Sequence, residues 1–560
     1  MEKQCGKLSV CLSRTGRVRP FPSLHPQMVD ASRAVQSQYA RLGKTGKPQA
    51  GEWTVLAGFV LSRGSGAADE VVALGTGTKC LTRTQVAQDG AGWLVHDAHA
   101  EVCARRSLLL YFLDQLELAA TRPLESVFVA ADSGGYMLRP GMSLHMYSSQ
   151  PPCGDAALFE ALADGEPPMG SPDTDAPAGP KRQRLEADVD AHRTGARPAS
   201  AAECAEEAAG GGLACKLGLV RTKPGRGERT CCMSCSDKLA RWVRLGLQGA
   251  LLSLLLPTPV RDQCQCQCAA CVLHVCCTCA AHVCLHALPY AVFSSAPPSA
   301  LLPAPSFPAQ IGLASLSVGQ PCCLAALRRA LVSRTLPARP SQAAESAEGA
   351  EGAEGAEGAE GAEGAEVAAL SVRPPPPRFL TAGTPFVHDP PPRRTGLQYT
   401  GPVESTGAAA AGAAGAAQWR PCSNSLLWRA GHGAGAATGG GIAANLEAIN
   451  GMAGVRLGAN TKGGVSPKHR ATACKALLLR RFLQVCAALP AEALPPPLRA
   501  LPALSERSYR ELKRASVAYQ QRRANLLGLE GFRDWICAPE SCEAFTDAAG
   551  AMPAVCPVAT

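Results

Sequence analysis

HDAHAEVCARRSLLLYFLDQLEL, residues 96–118, is the stretch from which the rest of the chain is read. Val102, Leu108, Leu109, Phe112 and Leu116 recur at near-helical spacing, and neither Gly nor Pro interrupts them. The spacing predicts one amphipathic helix with Asp97 as its N-cap. His99, Ala100 and Glu101 put His-x-Glu at the mouth of that helix. Residues two apart inside a helix do not face each other. His99 and Glu101 can therefore share a site only where the chain is entering the helix. There an imidazole can bind a metal, and a carboxylate beside it can move protons. The plain alternative is a surface His and Glu on an amphipathic helix.

Two later segments bear on that choice. SSQPPCGDA carries Pro152-Cys153, and CCMSCSDKLARW carries Cys235. A His-x-Glu followed by Pro-Cys and a second Cys matches the zinc nucleobase-deaminase pattern. That pattern usually sets its cysteines three residues apart; here they are 82 apart. With Ser-Cys-Ser-Asp-Lys around the last of them, the chain resembles the adenosine deaminases that act on RNA. Within that family it is most similar to the eukaryotic tRNA branch, which acts on alanine tRNA next to the anticodon.

The resemblance implies an α/β fold. It would be a single zinc deaminase domain, a mixed sheet flanked by helices, extended by a C-terminal helical half. It implies His99, Cys153 and Cys235 as zinc ligands and Glu101 as the proton shuttle. In the loop GTGTKC (75–80) it places Thr78 and Lys79 at the target nucleotide; otherwise this is a tight Gly turn with a solvated Lys. The family also buries an inositol hexakisphosphate. On the matching motifs its contacts are Arg105, Arg106, Lys238, Arg241, Lys475 and Lys513, with Trp242, Tyr509, Tyr519 and Trp535 nearby. So many cations cannot be buried together without a polyanion; on the surface they would simply be solvated. Some positions depart from the family: His96 replaces an Asn, Ala250 a Ser, and Cys537 and Ala538 polar groups. None of these is among the four catalytic positions.

Composition sets outer limits. The 560 residues, 46% hydrophobic and 18% charged, are ample for one large core or two domains. A net charge of +9 fits an RNA partner without requiring one. The run 246–256 is too short to span a bilayer. No signal peptide is read, so the 26 cysteines are taken as thiols rather than a disulfide framework. Expected partners are tRNA, with no DNA and no membrane, and the expected location is nucleus or cytoplasm. Absence of a recognisable double-stranded RNA-binding domain favours tRNA over long duplex RNA.

Taken in order, residues 1–28 read as a disordered tail, with a weak organelle-targeting sequence as the other option. A deaminase domain follows over 29–540, and a second disordered tail over 541–560. Val29 to Leu42 reads as a helix, and 52–63, 70–80, 126–130 and 144–149 as strands. Asp155 is expected to open a helix whose N-terminus faces Cys153 and lowers its pKa. Residues about 163–215, 257–308 and 340–415 read as disordered insertions by composition. The first holds PKRQRLEAD, a nuclear-import signal or a solvated charge run. The second holds eight cysteines and three histidines over 261–286, and the third an Ala-Glu-Gly repeat. KPGRGERT offers Lys223, Arg226 and Arg229 as phosphate contacts, or as a mobile charged loop. Residues 311–319 and 419–429 read as strand, 445–464 as strand, turn and hairpin, and 471–485 and 507–528 as two amphipathic helices.

Three rival readings remain. An inactive RNA-binding protein on this fold would not need Glu101. A cytidine deaminase would need the short Cys-x-x-Cys spacing. A metal-storage protein would rest on the 261–286 cluster.

Overall fold

The computed structural model describes residues 29–64, 68–131, 134–159, 195–209, 215–224, 228–256, 311–336, 376–390, 419–431 and 445–547. PKRQRLEAD, Arg226, the Cys-rich 261–286 stretch, the Ala-Glu-Gly repeat and residues 1–28 lie outside them.

The strands that matter here are β1 (Leu56–Ser62), β2 (Glu70–Thr76), β3 (Thr78–Cys80), β4 (Asp97–His99), β5 (Ser143–Ser148), β6 (Ser315–Val318), β7 (Arg378–Thr381), β8 (Asn424–Arg429), β9 (Leu446–Asn450) and β10 (Val455–Arg456). Eight of them form one mixed sheet in the order β7-β6-β5-β1-β2-β8-β9-β10. β5, β6 and β7 run parallel, and the remaining pairs are antiparallel. β3 and β4 make a separate antiparallel ladder, with Thr78 opposite His99. β1 is a continuous apolar run because both its faces are covered.

Of the helices α1 (Ala31–Arg41), α2 (Arg83–Ala87), α3 (Ala100–Thr121), α4 (Cys235–Leu245) and α5 (Leu324–Leu331), α1 and α3 supply that cover. A Cβ on Gly58 would stand 2.6 Å from Val35 of α1. A Cβ on Gly75 would stand 2.4 Å from the Ala104 nitrogen of α3. These two glycines let the helices lie directly on the sheet. Since Gly58 pairs with Leu74 and Gly75 with Ala57, the two approaches fall on opposite faces. The molecule is thus a mixed sheet flanked by helices.

α3 differs from its sequence reading in two ways. It is buried on nearly every side rather than amphipathic, because α6 (Lys475–Ala488) packs on it in addition to the sheet. It also begins at Ala100, with His99 in the N-cap position and no side-chain cap bond. Asp97 is therefore not the cap; its carboxylate is drawn into buried ion pairs.

Several other boundaries move. Residues 128–130 pair with 136–138 in their own hairpin, outside the main sheet. Asp155–Ala157 is a single 3-10 turn. Part of the expected 163–215 insertion is ordered. Residues 197–198 pair with 221–222, and the helix Ala201–Ala209 delivers Glu207 to the buried Arg221 guanidinium at 2.5 and 3.1 Å. Part of the expected 340–415 insertion is ordered too. β7 completes the sheet edge, and Phe386 packs edge-on to Tyr39 at 5.1 Å. The expected helix over 507–528 is two, α7 (Tyr509–Ala515) and α8 (Val517–Gly528). Ser516 leaves helical geometry, and its hydroxyl donates to the Lys513 carbonyl. The packed chain continues beyond 540: Phe545 stacks on Tyr509 at 5.4 Å, and Asp547 pairs with Arg480 at 2.9 Å. No described helix is long and apolar enough to cross a membrane.

Candidate active site

His99 is delivered by the end of β4, where the chain is still extended (φ −72°, ψ 149°). Glu101 follows one residue into α3 and is buried. This is the helix-mouth placement that lets a His-x-Glu pair share one site. The imidazole is oriented by its neighbours. Its Nδ1 stands 2.9 Å from the Asp97 carboxylate and 3.1 Å from the Lys79 carbonyl. With two acceptors on that side, Nδ1 carries the hydrogen and Nε2 is left as the free donor atom.

Cys153 leaves β5 through Pro151 and Pro152 and meets Cys235 at the start of α4 (Cys235–Leu245). Gly154 makes that meeting possible. Its φ is +104°, and a Cβ there would stand 2.2 Å from the Ser234 hydroxyl. Ser236 ties the two arms together: its N–H and hydroxyl donate to the Cys153 carbonyl, and the hydroxyl reaches the Pro152 carbonyl. The Cys235 N–H donates to the Cys153 sulfur at 3.3 Å. The helix N-terminus that meets Cys153 is therefore that of α4, not one opened by Asp155. The Cys235 thiol lies 3.2 Å from the Glu101 carboxylate.

Lys223 is the residue the sequence misplaced. It is fully buried, not on a mobile phosphate-binding loop. Its ammonium donates to both Asp97 oxygens, at 3.0 and 2.7 Å, and to the Cys235 sulfur at 3.2 Å. Nothing in KPGRGERT marks one lysine as a core residue. Lys238 also turns to Asp97. Arg229 donates to the Pro198 carbonyl.

The electrostatics follow from this packing. Burial alone would raise the Asp97 pKa, but Lys223, Lys238 and His99 hold it well below the usual carboxylate range. Burial opposes the Lys223 charge, yet Asp97, Cys235 and Cys153 keep its pKa well above the ordinary lysine value. The two site thiols titrate as a pair. A hydrogen bond from Cys235 brings Cys153 down to about 6, against burial and with help from Lys223 and His99. Cys235 is pushed up by burial and by the neighbouring sulfur.

His99, Glu101, Cys153 and Cys235 are thus neighbours, joined through Asp97 and Lys223. Among the described residues, no group of three or more His, Cys, Asp and Glu side chains is already arranged to hold a metal ion. The Cys235 sulfur is instead taken up by Glu101 and Lys223. In kind, the donors fit zinc: one oriented imidazole, two thiols of which one is readily ionised, and a carboxylate alongside. Thr78 and Lys79 lie next to His99 on β3 and are partly exposed.

A second cluster lies one helical turn further along α3. Arg105, Arg106, Arg241, Lys475 and Lys513 converge there with Trp242, Tyr509, Tyr519 and Trp535. Arg105 stacks on Trp242 at 4.9 Å and Arg241 on Trp535 at 5.0 Å. Glu543 pairs with Lys513 at 2.5 Å and with Lys475 at 3.6 Å. Burial lowers the pKa of Arg105 to about 10 and lowers those of Arg241, Lys475 and Lys513. The Arg105 and Arg241 Nε atoms, the Trp242 indole nitrogen and both ends of the Gln248 amide are buried without a hydrogen-bond partner. Orphaned donors among crowded cations fit a polyanion. Lys238 does not join this cluster directly, because Asp97 holds it. His96 turns to Asp89 at 2.7 Å.

The family pattern of the adenosine-deaminase (editase) domain matches residues 73–277 and 402–539, more than half of the chain. The chain is 36% identical over 235 residues to the tRNA-specific adenosine deaminase 1 of Drosophila melanogaster, covering 42% of this chain and 53% of that protein. It is 34% identical over 307 residues to the Mus musculus protein of the same name, covering 39% and 60%. With the Drosophila double-stranded RNA-specific editase Adar the figures are 32% over 207 residues, 36% and 28%. The chain therefore spans little more than half the length of the tRNA-specific relatives it matches.

Proposed function

The chain belongs to the adenosine-deaminase (editase) domain family, and from that membership we propose that it converts adenosine to inosine in tRNA by zinc-dependent hydrolysis. The substrate we assign is alanine tRNA, at the adenosine next to the anticodon, and the proposed place of action is the nucleus or cytoplasm. The observation that carries the reading is the meeting of Cys235 with both Cys153 and Glu101, beside the Asp97 carboxylate that orients His99.

In this reading His99 and the Cys153 and Cys235 sulfurs would hold the zinc, which would supply a water acidic enough to give hydroxide near neutral pH. Glu101 would take one proton from the attacking water and pass it to the adenine ring nitrogen, then take the proton of the resulting C6 hydroxyl and deliver it to the amino group, which leaves as ammonia. Asp97 keeps the imidazole in the tautomer that presents Nε2. Lys223, next to Cys235, offsets the charge of two thiolates. Thr78 and Lys79 flank the pocket where the extruded base enters. A base in an anticodon loop is cheaper to swing out than a paired one. The cation cluster behind α3 would hold inositol hexakisphosphate as a structural polyanion.

The test is to incubate purified protein with an alanine tRNA transcript and read inosine by sequencing. Inosine next to the anticodon supports the reading. A protein that binds the transcript and leaves every adenosine intact is an RNA-binding protein on this fold, and the proposal fails.

A further inference from the structure

The two cysteine arms of the candidate site continue alike. Two residues past Cys153 stands Asp155, and two residues past Cys235 stands Asp237. Both aspartates are wholly buried. Both face a cation from the same distant stretch, α5 and the single turn Ser333–Thr335 that follows it.

Arg329 grips the first arm at three points. Its Nε donates to the Asp155 carboxylate at 3.1 Å, and one terminal nitrogen donates to the Asp155 and Leu158 carbonyls at 2.8 and 2.6 Å. Arg334 faces the second arm. Its guanidinium pairs with the Asp237 carboxylate at 2.7 Å, as an ion pair without the angle of a hydrogen bond. That guanidinium is itself fixed. Its Nε donates to the Ala330 carbonyl at 2.6 Å, its other terminal nitrogen donates to the Leu219 carbonyl at 3.3 Å, and it lies over the Phe532 ring at 4.9 Å. Residues 218–221 stitch the two arms together. The Gly218 N–H donates to Asp155 at 2.7 Å, and the Arg221 N–H donates to Asp237 at 2.9 Å. Asp237 also accepts the Ser234 hydroxyl at 2.6 Å, at the turn that delivers Cys235.

The residue types suit this task. A buried carboxylate stays in place only while a cation and donors offset its lost hydration. Without them it is driven toward water, and here it would carry a site cysteine with it. The planar guanidinium fork can hold a carboxylate and a carbonyl at one fixed angle, which an ammonium cannot. Leu327, Ala330 and Leu331 of α5 are buried in the core, so the support does not yield.

We propose that Arg329 and Arg334 are positioning residues: through Asp155 and Asp237 they hold the Cys153 and Cys235 arms against one common support and set how the two sulfurs face each other. The consequence for zinc rests on the deaminase reading; the grip on the two arms does not.

Full-length protein as purified is compared with Arg329→Met and Arg334→Met. Amide hydrogen exchange is followed in peptides spanning 153–158, 234–239 and, as a reference, 107–116 of α3. Exchange should quicken by about tenfold or more over 153–158 in Arg329→Met and over 234–239 in Arg334→Met, with 107–116 unchanged in both. Zinc release to a chromogenic chelator should be about 10–100-fold faster in each variant, the effect of losing a support behind a ligand. A merely destabilised protein would exchange faster in all three peptides; that result, or unchanged exchange, overturns the proposal. Zinc released at the wild-type rate from a variant with a loosened arm also overturns it. If the purified wild type holds no zinc, the deaminase reading fails, and the exchange pattern still decides the grip. If a methionine variant does not fold, Arg329→Lys or Arg334→Lys replaces it. Each keeps the charge and loses the carbonyl bonds, and the same arm must loosen.

Discussion

Asp97 is the residue on which the site turns. It is almost wholly buried, and it binds the His99 imidazole and the Lys223 and Lys238 ammonium groups at once. Removing its charge leaves two lysines facing each other without a counter-charge. Asp97→Asn is expected to cost about 3–5 kcal/mol, the range for breaking a buried pair. Urea unfolding of the metal-free protein at pH 7 checks this. The pH dependence has a definite sign. The folded pKa of Asp97 lies below its unfolded value of 3.8, so its contribution is complete above that value and is lost as pH falls through the folded pKa. The gap between wild type and variant should therefore shrink as pH drops below about 4. Glu101→Ala makes a different prediction. Inosine formation should fall by at least about 100-fold, the lower range for a positioned acid–base group, with metal content unchanged. Activity that survives would remove Glu101 from the mechanism. At this scale the sequence singled out His99, Glu101, Cys153 and Cys235, which the structure brings together, but not the pairing of Asp97 with Lys223 that joins them. His-x-Glu, Pro-Cys and Ser-Cys-Ser are local patterns. The partnership of Asp97 with Lys223 spans 126 residues and has no local signature.

Among elements, the join between β5 and α4 is the critical one. Gly154 lets the Cys153 loop touch Ser234, and Ser236 bonds back to Pro152 and Cys153. Gly154→Ala meets both a positive φ and a 2.2 Å contact with the Ser234 hydroxyl, so the arms must part. Expected outcomes are a loss of about 1–3 kcal/mol, the cost of a strained backbone, and weaker zinc retention on dialysis. Unchanged melting and metal content would contradict this account of the join. Strands and long helices were legible here because apolar runs such as β1 and α3 must be buried wherever they pack. Helix ends were less so. α3 starts later than its pattern suggests because Asp97 is drawn into buried pairs, and α7 and α8 part at Ser516 although the amphipathic spacing runs through. β7 and the helix Ala201–Ala209 were hidden inside stretches rich in Pro and Ala. Each is fixed by one distant partner, the edge of β6 and the guanidinium of Arg221.

Across the whole molecule, the candidate site and the cation cluster share α3 and α4. A polyanion bound at the cluster, as proposed, would therefore make itself felt in stability first. Adding inositol hexakisphosphate to ligand-stripped protein is expected to raise its melting temperature, by about 2.7 kcal/mol of stabilisation at a hundredfold excess over Kd. Arg105→Gln with Lys513→Gln should abolish the increase; an equal rise in that variant would mean that the phosphates bind elsewhere. The sequence grouped these cations only through a family resemblance, because residues 105, 241, 475 and 513 come from four separate helices. The claim on which everything rests is that one imidazole and two thiols gather around a single zinc. Zinc X-ray absorption on protein lacking residues 261–286 tests it most directly. The account predicts about one zinc per chain, with two sulfurs near 2.3 Å and one nitrogen near 2.0 Å. A sulfur-free shell, a four-sulfur shell, or no retained zinc would contradict it.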